Sequence, residues 1–285
     1  MITILGDVDE FEVVDEGYVF KYVRILDPNG DKSKYFSLHY RNEVDTEWET
    51  ANGILSKNYS VAKTSEVVAQ LKTNIGGRCL GDKHYRHTAT IKHTFVQEGF
   101  DLLDGAVDQV DKILFALLTD VSIENINKRT TLCFSIINGY AGNHCLEINH
   151  GLLTGLTVIS EGTPRALSVS NSFILDSFTK KLVHSNRLEY RFEEASNIKI
   201  ESERNIEIFK DTPVELSFMD GLRRSQPKKF TNMFFSIFDK VGEEYNNMYY
   251  ACYILSFILD SGQNIARELK LRRYVKQYMK DNSVL

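Results

Sequence analysis

The hydrophobic period of this chain changes along its length, and that change constrains the fold more than any other feature. Between Arg165 and Leu175, Leu167, Val169, Phe173 and Leu175 take one face while Ala166, Ser168, Ser170 and Ser172 take the other. Such alternation sets one face of a strand on a core and leaves the other wet, as in antiparallel sheets. Tyr85 to Phe95 alternates in the same way, with His87, Ala89, Ile91 and His93 against Arg86, Thr88, Thr90 and Lys92. From about Lys228 the period becomes helical, with Phe230, Phe234, Phe238 and Val241 on one stripe. These patterns predict an α+β fold with an antiparallel β-sheet core, a packed amphipathic helix and a helical C-terminal region. Residues 1–201 are expected to form the α+β core with an N-terminal β-hairpin, and residues 202–285 a mainly helical region packed on it.

Turn chemistry places the hairpin. Asp27-Pro28-Asn29-Gly30-Asp31 lies between the strand patterns Tyr18–Leu26 and Ser33–Tyr40, where proline presets φ and Asn or Gly accepts positive φ. Phe11–Val14 precedes them as a further strand. Residues 43–58 read as acidic and irregular around Trp48, and Thr64 or Ser65 is available to cap a helix reaching about Thr73. Leu103, Val107, Val110, Leu114 and Leu117 predict the amphipathic helix over 101–119, with Asp104, Asp108, Asp111 and Lys112 off its stripe. Candidate strands follow at Thr131–Ile137, Cys145–His150 and Leu152–Ser160, joined by a turn at Asn138-Gly139. Leu188–Phe192 and Ile198–Glu201 read as two short alternating pieces.

The 285 residues carry 42% hydrophobic and 26% charged side chains with only 4 Pro, which excludes a disordered chain and long Pro-rich linkers. Met248–Leu259 is the longest apolar stretch; its twelve residues fall short of the roughly 20 that span a bilayer, and a buried helix is expected instead. The first residues lack the basic region of a signal peptide. Cys79, Cys133, Cys145 and Cys252 are widely spaced in apolar patterns, which suits reduced thiols and a cytoplasmic location.

Nucleotide and nucleophile motifs are missing from the sequence, which disfavours kinase, ATPase, dehydrogenase and serine-hydrolase chemistry. No cofactor or metal is expected. Cys79, His84, His87 and His93 fall close together, but their spacing fits no usual zinc pattern and His84 takes the opposite strand face from His87 and His93. His144, Cys145 and His150 flank the predicted hairpin, where sheet histidines are commonly hydrogen-bonded. Gly139-Tyr140-Ala141-Gly142 matches the spacing of a backbone-clamping GxxG loop, yet it joins two strands rather than two helices.

The net charge of −5 is unevenly spread: twelve acids face five Lys/Arg in residues 1–50, and eleven Lys/Arg face six acids in residues 221–285. Arg223, Arg224, Lys228 and Lys229 lie in a Pro-containing connection. Arg272, Arg273 and Lys276, with Arg267, Lys270 and Lys280, make the final helix cationic, interleaved with Tyr274 and Tyr278. Cations with aromatics can track a nucleic-acid backbone and stack bases; the same tyrosines can equally pack inward on a solvated helix. Arg223, Arg224, Lys228, Lys229, Arg272, Arg273 and Lys276 are therefore the candidate nucleic-acid-binding residues. The opposed charge of head and tail also suits homo-oligomerisation.

The segment FSIINGYAGNHCLEINHGL resembles a recurrent hairpin of a large uncharacterised phage and plasmid protein family, through Asn138, Tyr140, Gly142 and Gly151. The apolar helix and basic segment after it extend the likeness over residues 85–275. The resemblance implies a phage-encoded protein of the host cytoplasm without an established reaction, and it assigns no functional residues. The expected function is non-enzymatic binding of single-stranded nucleic acid in phage DNA metabolism. The alternative is an inhibitor that binds and blocks a host anti-phage defence complex.

Overall fold

The computed structural model describes residues 2–75, 78–85, 89–103, 106–117, 126–142, 146–160, 163–171, 198–260 and 264–282. They pack as two compact units made of non-contiguous pieces. Unit one draws on residues 1–95 and 134–149, and unit two on 96–133, 150–177 and the chain from 197.

In unit one, β2 (Glu10–Asp15), β3 (Tyr18–Leu26), β4 (Lys32–Asn42) and β5 (Glu49–Ser56) form an antiparallel meander in that order. The expected β3–β4 hairpin is present. Asp27 accepts from the backbone N–H groups of Asn29 and Asp31, both at 2.9 Å, and Gly30 takes φ +87°. Phe20 then pairs with Tyr40 and Tyr22 with Leu38, placing four buried side chains on one face. Arg24 ties the chain before β2 to this hairpin. Its guanidinium donates to the carbonyls of Val8 at 2.8 Å, Gly6 at 3.2 Å and Ser33 at 3.0 Å, and lies over the Phe36 ring.

β1 (Ile2–Ile4) pairs with β6 (Ser60–Ala62), which leads into α1 (Thr64–Ile75). The cap of α1 is neither Thr64 nor Ser65, as local sequence suggests, but Asp15. Its buried carboxylate accepts from the backbone N–H of Thr64 at 2.5 Å and of Ser65 at 3.2 Å, and from the Ser65 hydroxyl at 2.5 Å. An anion at a helix N-terminus satisfies unpaired N–H groups and opposes the helix dipole. The Tyr140 hydroxyl also donates to Asp15. Burial first, and the Asp15 charge second, hold Tyr140 well above the usual tyrosine range.

A five-stranded sheet runs β11–β10–β9–β8–β7, comprising β7 (Arg78–Tyr85), β8 (Thr90–Leu103), β9 (Ile126–Gly139), β10 (Glu147–Ser160) and β11 (Thr163–Asn171). β10 and β11 pair antiparallel from Leu152–Asn171 to Ser160–Thr163.

Unit two holds α2 (Gln109–Ala116), α3 (Ile198–Asp211), α4 (Leu216–Ser225), α5 (Lys228–Phe238), α6 (Met248–Asp260) and α7 (Ile265–Asp281). As expected, α6 is buried on nearly every side, and Phe230, Phe234 and Phe238 form the inward stripe of α5. Cys133 and Cys252 are buried free thiols, and burial pushes the Cys252 thiol up. No helix among the described residues is long and apolar enough to cross a membrane.

Several expectations need correction. Residues 49–56 are a strand, β5; its pairing with β4 shifts between Ser37–Ile54 and His39–Thr50, where β5 carries two residues more than β4, and Asn52-Gly53 inside it reads as turn chemistry. Asn138-Gly139 is not a turn but the end of β9, and the chain bends at Tyr140–Gly142, where Gly142 takes φ +72°. A Cβ on Gly142 would stand 2.5 Å from the Leu55 Cδ2. The predicted 85–95 strand is divided between β7 and β8, and Thr90, Ile91, Lys92 and His93 are all buried, so neither face is wet there. Asp101–Leu103 completes β8, and the predicted 101–119 helix shrinks to 109–116, because the Asp108/Asp111 capping box fixes its start. Cys145–His150 and Leu152–Ser160 merge into β10, whose described residues begin with Glu147. Ile198–Glu201 opens α3, since four alternating residues cannot distinguish a strand from one helical turn. Leu188–Phe192 and residues 172–175 lie outside the described residues.

Two buried nodes yield predictions. Tyr140→Phe deprives Asp15 of one donor and is expected to destabilise the protein by about 1–3 kcal/mol; a urea midpoint equal to that of the parent would deny the node this role. In unit two, Lys128 Nζ lies 2.6 Å from Asp111 Oδ2 and 3.0 Å from Asp108 Oδ2, while Tyr253 donates to Asp111 and Tyr250 to Asp108. Burial pulls the Lys128 ammonium down, but the two carboxylates outweigh it and hold it above its usual value. Lys128→Met leaves Asp111 buried without its counter-charge, and a loss of about 3–5 kcal/mol is expected in the same unfolding measurement.

Candidate nucleic-acid interface

The predicted basic residues fall on α4, α5 and α7, all in unit two. Phe218 and Leu222 turn one face of α4 inward. Arg223 and Arg224 occupy its last turn, where cations complement the carbonyl end of the helix dipole. They are not in an irregular connection as expected: only Gln226-Pro227 separates α4 from α5, and Lys228 and Lys229 open α5. Proline both ends the first helix and starts the second without a backbone donor of its own.

Arg223 donates to Asp220 at 3.0 Å and lies 4.3 Å from the Phe235 ring centroid. Arg224 donates to the Asp220 carbonyl at 3.3 Å. Lys228 and Lys229 are exposed, with no hydrogen-bond or ionic partner among the described residues. The first turn of α5 has no acid and no side-chain cap. Two cations thus sit at the positive end of a helix, where an anion is the favoured charge.

α7 runs antiparallel along α4. Tyr278 meets Glu215 and Ser217, the Tyr274 hydroxyl donates to the Phe218 carbonyl at 2.7 Å, and Lys270 Nζ donates to the Ser225 carbonyl at 2.8 Å. Gly221 permits this approach, since a Cβ there would collide with the Tyr274 hydroxyl. Arg267 lies over the Phe230 ring at 5.7 Å. The α4–α5 joint therefore gathers Arg223, Arg224, Lys228 and Lys229 with Arg267 and Lys270 of α7.

The other predicted residues separate. Arg273 is exposed, without a partner among the described residues, and Lys276 is half-buried. Arg272 is turned inward at 8% exposure, 3.6 Å from Glu268. Its position was legible in the spacing: Glu268, Arg272, Val275 and Met279 recur every three or four residues and form the buried stripe of α7. The same rule sends Lys270 outward, a residue left out of the candidate set. Tyr274 and Tyr278 pack against Phe218 rather than standing free to stack on bases.

Among the described residues the histidines form no rival centre. His84 stacks on the Tyr18 ring at 4.3 Å, and His93 is buried 3.6 Å from Glu16. His87, His144 and Cys145 lie outside the described residues. Among the described residues no three His, Cys, Asp or Glu side chains are arranged to hold a metal ion.

No known family, curated protein or solved structure matches the chain.

Burial raises the Tyr274 hydroxyl from 10.0 to about 12. A raised pKa stabilises the folded form below pH 10, and that contribution is lost as pH rises towards 12. Circular dichroism between these limits should show steeper alkaline unfolding in the parent than in Tyr274→Phe. Identical profiles would mean that Tyr274 does not couple α7 to α4.

Proposed function

We propose that this chain is a non-enzymatic, phage-type protein that binds single-stranded nucleic acid through the basic surface around the α4–α5 joint. The observation carrying this reading is the convergence of Arg223, Arg224, Lys228 and Lys229 with Lys270 and Arg267, three helices supplying cations to one place. Long cationic side chains on exposed helix ends reach phosphates without drawing charge into a core. The exposed lysines at the start of α5 favour an anion twice over, through their own charge and through the helix dipole. The Phe235 ring 4.3 Å from Arg223 supports that guanidinium, whose planar donors suit phosphate oxygens. The working compartment in this reading is the host cytoplasm.

Binding here is electrostatic and sequence-tolerant, so salt is the appropriate probe. Fluorescence anisotropy with a labelled thymidine oligonucleotide should give an affinity that falls with salt. Lys228→Gln with Lys229→Gln should flatten the logarithmic salt dependence by about 1.4, roughly 0.7 for each lost phosphate contact on a single strand. Changing Arg223, Arg224, Lys228 and Lys229 together to Glu should abolish binding. A parent protein that does not bind, or a fourfold variant that binds equally well, removes this function.

A further inference from the structure

We propose that the β4–β5 loop, residues 43–48, of one copy of this chain docks on the basic α4–α5 surface of a second copy and competes there with nucleic acid. The proposal shares that surface with the nucleic-acid reading but rests on separate observations in unit one.

Most acids of the N-terminal segment are already engaged. Lys21 pairs with Glu10 and Glu12, Lys32 with Asp9, and Lys57 with Asp7. The loop differs: the side chains of Glu43, Asp45 and Glu47 are exposed and have no partner among the described residues. Between them Val44 stands 85% exposed, with Trp48 at 40%. The loop is nevertheless fixed. Glu43 N–H donates to the Gly17 carbonyl at 2.9 Å, and Val44 N–H to the Asn42 side chain at 3.2 Å. Arg41 donates to the carbonyls of Asp45 at 2.6 Å and Glu43 at 3.3 Å, with its guanidinium over the Trp48 ring. A rigid acidic knob with an apolar tip loses little conformational freedom on docking.

The basic surface supplies the complement. Lys229 and the exposed Met233 lie one turn apart on α5, and Arg223 covers the half-buried Phe235. Carboxylates of the loop can meet Arg223, Lys228 and Lys229 while Val44 meets Met233 and Phe235. Because the two surfaces differ, the contact is head-to-tail and repeats from copy to copy. Carboxylates and nucleic-acid phosphates then contend for the same cations.

The test is the mass of the full chain by light scattering after gel filtration, at about 0.05 M and about 0.5 M salt. Self-association is expected at low salt, with dissociation at high salt and on adding a thymidine oligonucleotide. One charge-reversed variant carries Glu43→Lys, Asp45→Lys and Glu47→Lys; the other carries Arg223→Glu, Lys228→Glu and Lys229→Glu. Each should be monomeric alone, and an equimolar mixture should associate again, since each then offers the surface that the other needs. Val44→Ser keeps every charge and should weaken association about tenfold. A parent that stays monomeric at low salt, a mixture that does not associate, or an assembly indifferent to the oligonucleotide overturns the proposal. Oligonucleotide binding by the dilute parent is read separately. A monomeric parent that binds DNA defeats only this inference, whereas an associating parent that binds none defeats the nucleic-acid function and the competition with it.

Discussion

Unit one depends on the burial of a single carboxylate. Asp15 ends β2 at 3% exposure and receives donors from the start of α1 and from Tyr140, segments far apart in the chain. A carboxylate removed from water is tolerated only when donors replace its hydration, so this charge dictates what must assemble around it. Thr64 links the same node to Asn138, which also donates to the Ala62 carbonyl at 2.6 Å. The Tyr140 ring stacks on Phe20 at 3.8 Å, and its carbonyl accepts from Tyr22. Helix cap, strand end and aromatic core therefore meet at one atom group. Unit two repeats the principle with Asp111, held by Lys128, Tyr253 and the capping box of α2.

These nodes reinterpret the segment on which the family likeness rests. Asn138, Tyr140 and Gly142 read from sequence as residues of a hairpin turn. In the structure Asn138 ties β9 to the β6–α1 connection, Tyr140 completes the Asp15 node, and Gly142 leaves room for Leu55. Their chemistry is spent on the fold. A recurrence of such residues among related chains would report a shared core, and function has to be sought on exposed side chains without such duties.

Legibility in the sequence followed how local each determinant is. The β3–β4 hairpin was readable because Asp27, Asn29 and Gly30 settle it within five residues, and α6 because its apolar residues cover every face of a helix. The β5 strand was hidden because its own irregular stretch between Thr50 and Ile54 contains Asn52-Gly53, which reads locally as a turn, and only pairing with β4 holds it extended. Asp111 read as a solvated acid because its partners Lys128 and Tyr253 lie 17 and 142 residues away. In the candidate site, Arg223, Arg224, Lys228 and Lys229 stood out as a charge run, but their helical placement did not, since a proline normally signals an irregular connection. Here Gln226-Pro227 is short enough to be shared by two helix ends.

Charge density alone does not separate a binding surface from a solvated one; what separates them is whether neutralisation has already occurred within the fold. Lys21, Lys32 and Lys57 each face a carboxylate at 3.2 Å or less, so an incoming phosphate would have to displace an existing partner. Lys228 and Lys229 face none among the described residues, and the helix they open places its own positive end beside them. Mutual repulsion and dipole together raise the free energy of this joint in the unbound protein. An arriving polyanion relieves both at once, so its attraction to the joint exceeds that to a lysine already paired. The functional reading therefore rests less on the number of cations in the C-terminal region, where Arg223 already faces Asp220 at 3.0 Å, than on Lys228 and Lys229, which are uncompensated among the described residues.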